Sequence, residues 1–406
     1  MSGPLAGVRV LELGVLIAGP FAGRLLADFG AEVIKVEEPR RGDPLREWGQ
    51  LRHEGRPLWW PVQSRNKKLV TLDLRQPRGR DLLLRLAERS DVLIENFRPG
   101  TLERWRMGPD ELCAVNPGLV IARISGYGQT GPYADRPGFA VAGEAMGGLR
   151  HINGYPGQAP PRTGISLGDS LAAMFAVQGL LLALYRRDAG RDGEPGAPRR
   201  GQVVDASIME SCFAMLESTA PEYGKLGHVR QPSGTALANI APSNVYRSRD
   251  ARWIVIGANA ENLWQRLCAV IGRPDLLTDE RFSSHWARGQ NAAALDGIIG
   301  AWVAERDAAD VDRLLNEHGI VCGPVYTIAD IFQDPQYRAR EMLVELEDPE
   351  LGTIVTPGVV PRLSETPGEA RWAGSWQLGC HNEEVYGELL GIGAAELRAL
   401  AEEGVI

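Results

Sequence analysis

The chain has 406 residues, 44% of them hydrophobic, enough to bury a large core and to form two or three domains. Its net charge of −8, with basic residues scattered along the chain, argues against a nucleic-acid partner, which calls for basic residues gathered on one face. Five cysteines, at 113, 212, 268, 322 and 380, contain no CxxC pair and are too sparse for a disulfide framework, which suits a reducing cytoplasm.

The opening MSGPLAGVRVLELG lacks the charged-then-apolar pattern of an export signal and leads directly into a strand. Short apolar runs then alternate with helical spacing. VRVLEL (8–13) predicts a strand, Gly19 to Phe29 a helix and AEVIKVE (31–37) a second strand, which together form a βαβ unit. LVTLDL (69–74), a helix over 79–89, DVLIENF (91–97), a helix near 109–115 and LVIARISGYG (119–128) repeat the theme. Strands separated by helices predict an α/β fold with a Rossmann-like, doubly wound parallel sheet. Ligands of such sheets bind beyond the carboxyl ends of the strands, so the loops at 14–20, 38–48, 97–104 and 125–133 are the expected site.

The stretch TGISLGDSLAAMFAVQGLLLALYRR (163–187) sets Asp169 between a glycine and a long apolar run. The longest apolar run, Leu171 to Leu184, is shorter than the ~20 residues that cross a bilayer, so no membrane partner is expected. DAGRDGEPGAPRRG (188–201) reads as an exposed connection, and QVVDASIMESCFAMLE as a strand passing into a helix. The expected division is a large domain over 1–200, completed by about 340–406, a linker over 201–224, and a smaller α+β domain over 225–335. In that smaller domain SNVYRSRDARWIVIGA reads as a hairpin, with helices near 260–271, 291–305 and 308–317. Strand and turn signals occupy 343–366, and the tail from Glu383 is helical.

The chain contains no HExxH and no GxxxxGK[ST], and its first βα turn reads GVLIAGP rather than GxGxxG. A tightly bound nicotinamide is therefore not expected, and six dispersed histidines give no metal site. Catalysis then falls to carboxylates and backbone amides. Asp169 admits two compatible readings: a helix N-cap, whose oxygens accept first-turn amides, and a nucleophile, ionised because helix-end amides favour negative charge.

Several segments, taken in order, resemble the family III CoA-transferases, the group that includes formyl-CoA transferase, the carnitine CoA-transferase and the α-methylacyl-CoA racemases. They are AGPFAGRLLADFGAEVIKVEEPRRGDPLR, SRNKKLVTLDL, DVLIENFRPGTLERW, NPGLVIARISGYGQTGPY, GDSLAAMFA, GQVVDASIMES and GPVYTIADIFQDPQYRAREM, and the likeness runs from about Pro4 to Met342. The resemblance implies coenzyme A and acyl-CoA as substrates rather than a bound cofactor, and an interlocked homodimer; a cytoplasmic location is expected from the cysteines and the N-terminus. It also implies that Asp169 attacks an acyl-CoA thioester to form a mixed anhydride and then an aspartyl-CoA thioester. The residues it implies for CoA contact are Asn96, Phe97 and Arg104, the first βα loop with Leu16, Ile17 and Ala18, and, for the phosphates, Arg40, Arg41 and the lysines of RNKK (65–68). A strand end and solvated charges are the plain structural alternative for these groups.

Departures narrow the expectation. Ile17 and Glu38 stand where formyl-CoA transferase has glutamine and arginine, and GANAEN (257–262) replaces its glycine-rich flap. Arg136, Pro137 and Gly138 stand where the racemases carry a Gly-His-Asp segment with one of two bases, so two-sided proton exchange loses a partner. Trp48, Trp59 and Phe139 are the expected aromatic wall of the acyl site, and Arg46 or Arg162 can hold a second carboxylate. The expected reaction is CoA transfer from an acyl-CoA, succinyl-CoA foremost, to a dicarboxylic acid. A racemase-type epimerase and a non-catalytic CoA-binding protein are the alternatives.

Overall fold

The alternating pattern of the first 207 residues forms a six-stranded parallel sheet in a computed structural model, which describes residues 3–189, 199–237 and 239–406. In chain order the elements are β1 (Arg9–Glu12), α1 (Ala18–Asp28), β2 (Glu32–Glu37), β3 (Lys67–Thr71), α2 (Pro77–Glu88), β4 (Val92–Glu95), α3 (Pro109–Val115), β5 (Val120–Ser125), α4 (Ala140–Met146), α5 (Leu167–Asp188), β6 (Val203–Ser207) and α6 (Ile208–Phe213). The strands lie in the order β3-β2-β1-β4-β5-β6, and every neighbouring pair is parallel. The order reverses between β1 and β4, which places the ligand crevice of a doubly wound sheet at their carboxyl ends.

Because side chains alternate along a strand, the sheet feeds two cores. Leu11, Ile34, Leu93 and Ile121 join one apolar cluster with α2, α3 and the C-terminal Tyr386 and Leu400. Val10, Val33, Val92, Ile94 and Ala122 join another with Ala18, Ala22 and Leu26 of α1 and Ala172, Ala173 and Ala176 of α5. Helix α5 is, by length and composition, the one helix among the described residues apolar enough to cross a membrane. Its alanine face is nevertheless closed against the sheet, where a Cβ on Gly179 would stand 2.5 Å from Val204 Cγ1.

The chain divides into two compact units, one made of residues 1–149, 163–217 and 336–406 and the other of 150–162 and 218–335. The centre of the connection expected at 188–201, residues 190–198, lies outside the described residues. Residues 201–224, expected as a linker, carry β6, α6 and a further helix (Thr219–Leu226). The reason is that Val203 to Ser207 complete the ladder of β5, from Ile121↔Val203 to Ser125↔Ser207.

The second unit holds the antiparallel strands β7 (Ser243–Arg247), β8 (Trp253–Gly257) and β9 (Val321–Pro324), with helices α7 (Glu261–Val270), α8 (Ala292–Ala304) and α9 (Ala308–Glu317). Its core gathers Ile254, Ile256, Trp264, Leu267, Ile299 and Leu315. Tyr246 donates to Asp296 at 2.6 Å, which ties β7 to α8. In the first unit the predicted 343–366 strands are the hairpin β10 (Leu343–Asp348) and β11 (Gly352–Pro357), followed by a π-helical turn (Glu383–Leu389) and α10 (Ala394–Glu402).

The RNKK segment is a buried junction rather than a solvated patch. Arg65, 1% exposed, donates to both oxygens of Asp28 at 2.9 and 2.6 Å. Asn66 also bonds Asp28, at 2.9 Å, and accepts the Arg371 N–H at 2.8 Å. Lys67 pairs with Glu12 at 2.7 Å, and both are buried. Burial pushes the Lys67 ammonium down to about 8 against the pull of that carboxylate. Removing one partner of a buried pair leaves the other uncompensated. Asp28→Ala should therefore cost about 3–5 kcal/mol, read as a lower urea midpoint of the isolated protein; a midpoint within experimental error of wild type would count against this assignment.

A second buried ion pair ends β4. Arg123 donates to Glu95 at 2.8 Å and to Glu103 at 2.7 Å, and Glu95 accepts the Phe97 N–H at 2.7 Å. Burial, opposed by Arg123, pushes the Glu95 carboxyl up to about 6. A carboxyl raised in the native state binds its proton more tightly there than when unfolded, so its contribution is complete below the ordinary value and is lost as pH rises through 6. Relative to Glu95→Gln, wild type should lose on the order of 2 kcal/mol between about pH 4.5 and 6, seen as diverging denaturation midpoints; parallel curves would refute the linkage.

Candidate active site

The loop that follows β1 is built by close backbone approach. A Cβ on Gly14 would stand 2.6 Å from the Gly19 Cα, so both ends of GVLIAG must be glycine for the loop to close. Between them Leu16 takes a left-handed φ of 64°, an uncommon state for a branched residue. Side chains from elsewhere hold it there. Asn96, just past β4, accepts the Val15 N–H at 2.8 Å and donates to the Val15 carbonyl at 2.9 Å. Asp43 accepts the Leu16 N–H at 3.0 Å. The switch point between β1 and β4 is thereby fastened by Asn96, one of the residues expected to contact CoA.

Beside this loop lies a cavity of about 810 Å³. Leu13, Val15, Leu72, Leu74, Phe97 and Trp105 supply apolar wall, and Arg40, Arg41 and Arg75 supply positive charge, with Glu38 and Trp48 also lining it. Phe97 and Trp105 meet edge to face with ring centroids 5.5 Å apart. Three of the four expected loops thus contribute, those after β1, β2 and β4. The 125–133 loop does not line this cavity; there Gln129 donates to Asp205 at 2.9 Å.

Other expected residues are placed differently. Ile17 and Ala18 are buried, 5% and 3% exposed, with Ala18 in the core under α1, so only their backbone can face a ligand. Arg104 does not line the cavity; it donates to Thr101 Oγ1 at 2.8 Å on the one-turn helix Thr101–Arg104. Arg46 is committed to Glu37 through bonds of 2.7 and 2.7 Å and stacks on Trp60, so it holds no substrate carboxylate. Arg162 is exposed in the second unit. Trp48 lines the cavity and lies tilted against Trp59, centroids 6.3 Å apart. Phe139, 62% exposed, occupies the position before α4. Arg75 is the cation that sequence reasoning passed over; it directly follows the LVTLDL strand run, where a ligand-facing residue belongs.

Asp169 is not a helix cap. Ser166 occupies that position, and Asp169 is the third helical residue of α5, half-buried. In a parallel sheet the crossover helices run antiparallel to the strands, so α5, linking β5 to β6, begins at the edge where the strands end. Asp169 therefore belongs to the same rim as the switch point. The apolar cavity with arginines around it suits a long ligand with an apolar arm and phosphates; Asp169 does not itself line that cavity.

The sequence matches CoA-transferase family III over residues 5–382. The succinyl-CoA--D-citramalate CoA-transferase of Chloroflexus aurantiacus is 51% identical over 403 residues, covering 99% of this chain and 98% of the relative. The alpha subunit of a succinyl-CoA--L-malate CoA-transferase from the same organism is 40% identical over 406 residues, covering 99% and 92%. The crystal structure of a CaiB/BaiF family protein from Brucella suis is similar with a TM-score of 0.82 at 31% identity, covering 96% of this chain and all of that one. The parallel sheet with its switch-point cavity and the match along almost the whole sequence agree: the chain belongs to family III of the CoA-transferases and is an acyl-CoA:carboxylate CoA-transferase.

Proposed function

We propose that this enzyme moves CoA from succinyl-CoA to a short dicarboxylic acid, a hydroxy acid of the malate and citramalate type, with Asp169 as the nucleophile. The observation that carries the reading is Asp169 itself, set after a glycine in the first turn of α5 at the ligand edge of the sheet. Binding alone does not call for a carboxylate there. The acceptor and donor classes are supported by the two Chloroflexus relatives, whose names pair succinyl-CoA with a hydroxydicarboxylate.

In the proposed cycle an Asp169 oxygen attacks the thioester carbonyl, the C–S bond breaks, and CoA thiolate leaves a succinyl-aspartyl anhydride. The thiolate then attacks the Asp169 acyl carbon and expels succinate, giving an aspartyl-CoA thioester. The acceptor carboxylate displaces the thiolate to form a second anhydride, and the thiolate takes the acceptor acyl group, regenerating Asp169. A carboxylate suits both roles, as a nucleophile when ionised and as a leaving group once acylated. The cavity rimmed by Arg40, Arg41 and Arg75 is the proposed seat of the CoA phosphates, with Phe97 and Val15 along the pantetheine arm and Trp48, Trp59 and Phe139 towards the acyl group.

The proposal extends to an interlocked homodimer. On α5 the outward residues Met174, Leu182 and Tyr185 are each more than half exposed in the single chain, which is an apolar face of the kind that partner subunits cover. Threaded chains separate only by partial unfolding, so the dimer should persist on dilution into the low nanomolar range in analytical ultracentrifugation. A monomer appearing reversibly with dilution would refute the interlocked arrangement.

Asp169→Asn should keep the fold, changing stability by less than about 1 kcal/mol, the size of a first-turn charge effect. Transfer from succinyl-CoA to malate or citramalate should fall by at least ~10³-fold, since an amide does not form the anhydride. Hydroxylamine or borohydride added to wild type with succinyl-CoA should modify Asp169 in the peptide containing ISLGDSLAAMF. Near-normal turnover by the variant would defeat the nucleophile assignment.

A further inference from the structure

The start of α5 is held from outside the helix. First-turn amides need acceptors that the helix cannot supply, and Ser166, in the cap position, makes no side-chain cap bond. The Gly168 N–H instead donates to Glu144 Oε1 of α4 at 3.0 Å. Glu144 is 2% exposed, and a buried carboxylate is tolerated only where donors compensate its lost hydration.

The surrounding contacts leave α4 little freedom. A Cβ on Gly168 would stand 2.9 Å from Ile208 Cγ2 and 3.1 Å from Glu144 Cγ, one on Gly143 2.5 Å from Ile208 Cγ2, and one on Gly147 2.6 Å from Cys212 Cβ. Glycine at these three positions seats α4 directly on α6 and brings Glu144 to the start of α5. A third group registers the locality: the Cys212 thiol is pushed up to about 11 by burial and then by the charges of Glu144 and Asp169. Glu144 and Asp169 thus act on the same buried atom.

We propose that Glu144 is a positioning residue for Asp169, fixing the Leu167–Gly168 peptide and with it the direction in which the attacking carboxylate, one residue on, leaves the helix. The proposal rests on the nucleophile role given to Asp169 above. Glu144 forms no bond to the acyl group and is not consumed; it acts through the amide it accepts. Misplacing a reacting group by about 1 Å can cost ~10²-fold in rate, so the contribution belongs to kcat rather than to substrate binding.

The test is single-turnover acylation of the full-length enzyme by succinyl-CoA, with the adduct trapped on the Asp169 peptide, alongside steady-state kinetics. Glu144→Ala should slow adduct formation per folded site by roughly 10–100-fold with KM for succinyl-CoA within about twofold of wild type. Glu144→Gln, which keeps the acceptor oxygen and the shape, should restore the rate to within a few fold. Should the alanine variant not fold, Glu144→Asp, one methylene shorter, serves the same comparison and should show the same loss of kcat. Trapping at the wild-type rate in the folded alanine or aspartate variant overturns the proposal while leaving the nucleophile assignment intact. A wild type that turns over succinyl-CoA without any adduct on Asp169 overturns both.

Discussion

The site depends on charges buried beneath the first crossover. Lys35 and Lys67, each 1% exposed, share Glu12 at 3.3 and 2.7 Å. Lys35 also pairs with Asp43 at 2.7 Å and donates to the Gly14 carbonyl, while Lys67 reaches the Pro20 carbonyl at 2.7 Å. Glu37 accepts the Asp43 N–H at 2.8 Å and pairs with Arg46. Unpaired, each of these ions would cost several kcal/mol in a dry interior. The arrangement therefore tolerates little displacement, and the loops after β1 and β2 are locked to one another. Burial works against the charge on Lys35, yet Asp43, Glu12 and Glu37 together raise its pKa above the ordinary value, so it stays an ammonium while Lys67, with less compensation, is pushed down.

That lock explains how a left-handed Leu16 persists. The strain of such a residue is held only where its surroundings over-determine it, and here Asn96 and Asp43 take the two consecutive amides of Val15 and Leu16. Asp43 is tied in turn to Lys35, and Asn96 follows the strand whose last residue, Glu95, carries the Arg123 pair. Backbone donors and carbonyls near the switch point are consequently fixed before any ligand arrives. For the transfer of CoA between carboxylates, preorganised surroundings matter more than a large number of contacts.

At the other part of the rim, small residues do the equivalent work. Alanines on α5 let the helix lie close on the sheet, and glycines on α4 and α5 bring backbone and the Glu144 carboxylate together where larger side chains would hold them apart. The two devices differ in chemistry but share a purpose: each fixes a loop or helix start at the carboxyl edge of the sheet, the edge where ligands of this topology bind.

Much of this was legible in the residue order. Apolar runs such as VRVLEL and DVLIENF mark buried strands because a parallel sheet covered on both faces requires continuous hydrophobicity, and GD before a long apolar run marks a helix start carrying a carboxylate. Local composition also located the loops after β1, β2 and β4, since strand ends are set by short-range pattern. It could not reveal partners distant in sequence. Lys67 finds Glu12, Arg65 finds Asp28, Asn66 reaches the carbonyl of Glu369 and Gly168 finds Glu144, and each of these residues reads alone as an ordinary surface charge, polar group or glycine. The short strand β9 was likewise hidden, because Val321 to Pro324 hold too few apolar residues to signal a strand and owe their conformation to pairing with β8. Sequence by itself determined the six strands of the parallel sheet and where a ligand edge lies, since these follow from periodicity over a few residues. Only the tertiary structure decided which charges are buried and which remain for a substrate, because desolvation and ion pairing depend on what the folded chain brings within a few ångströms.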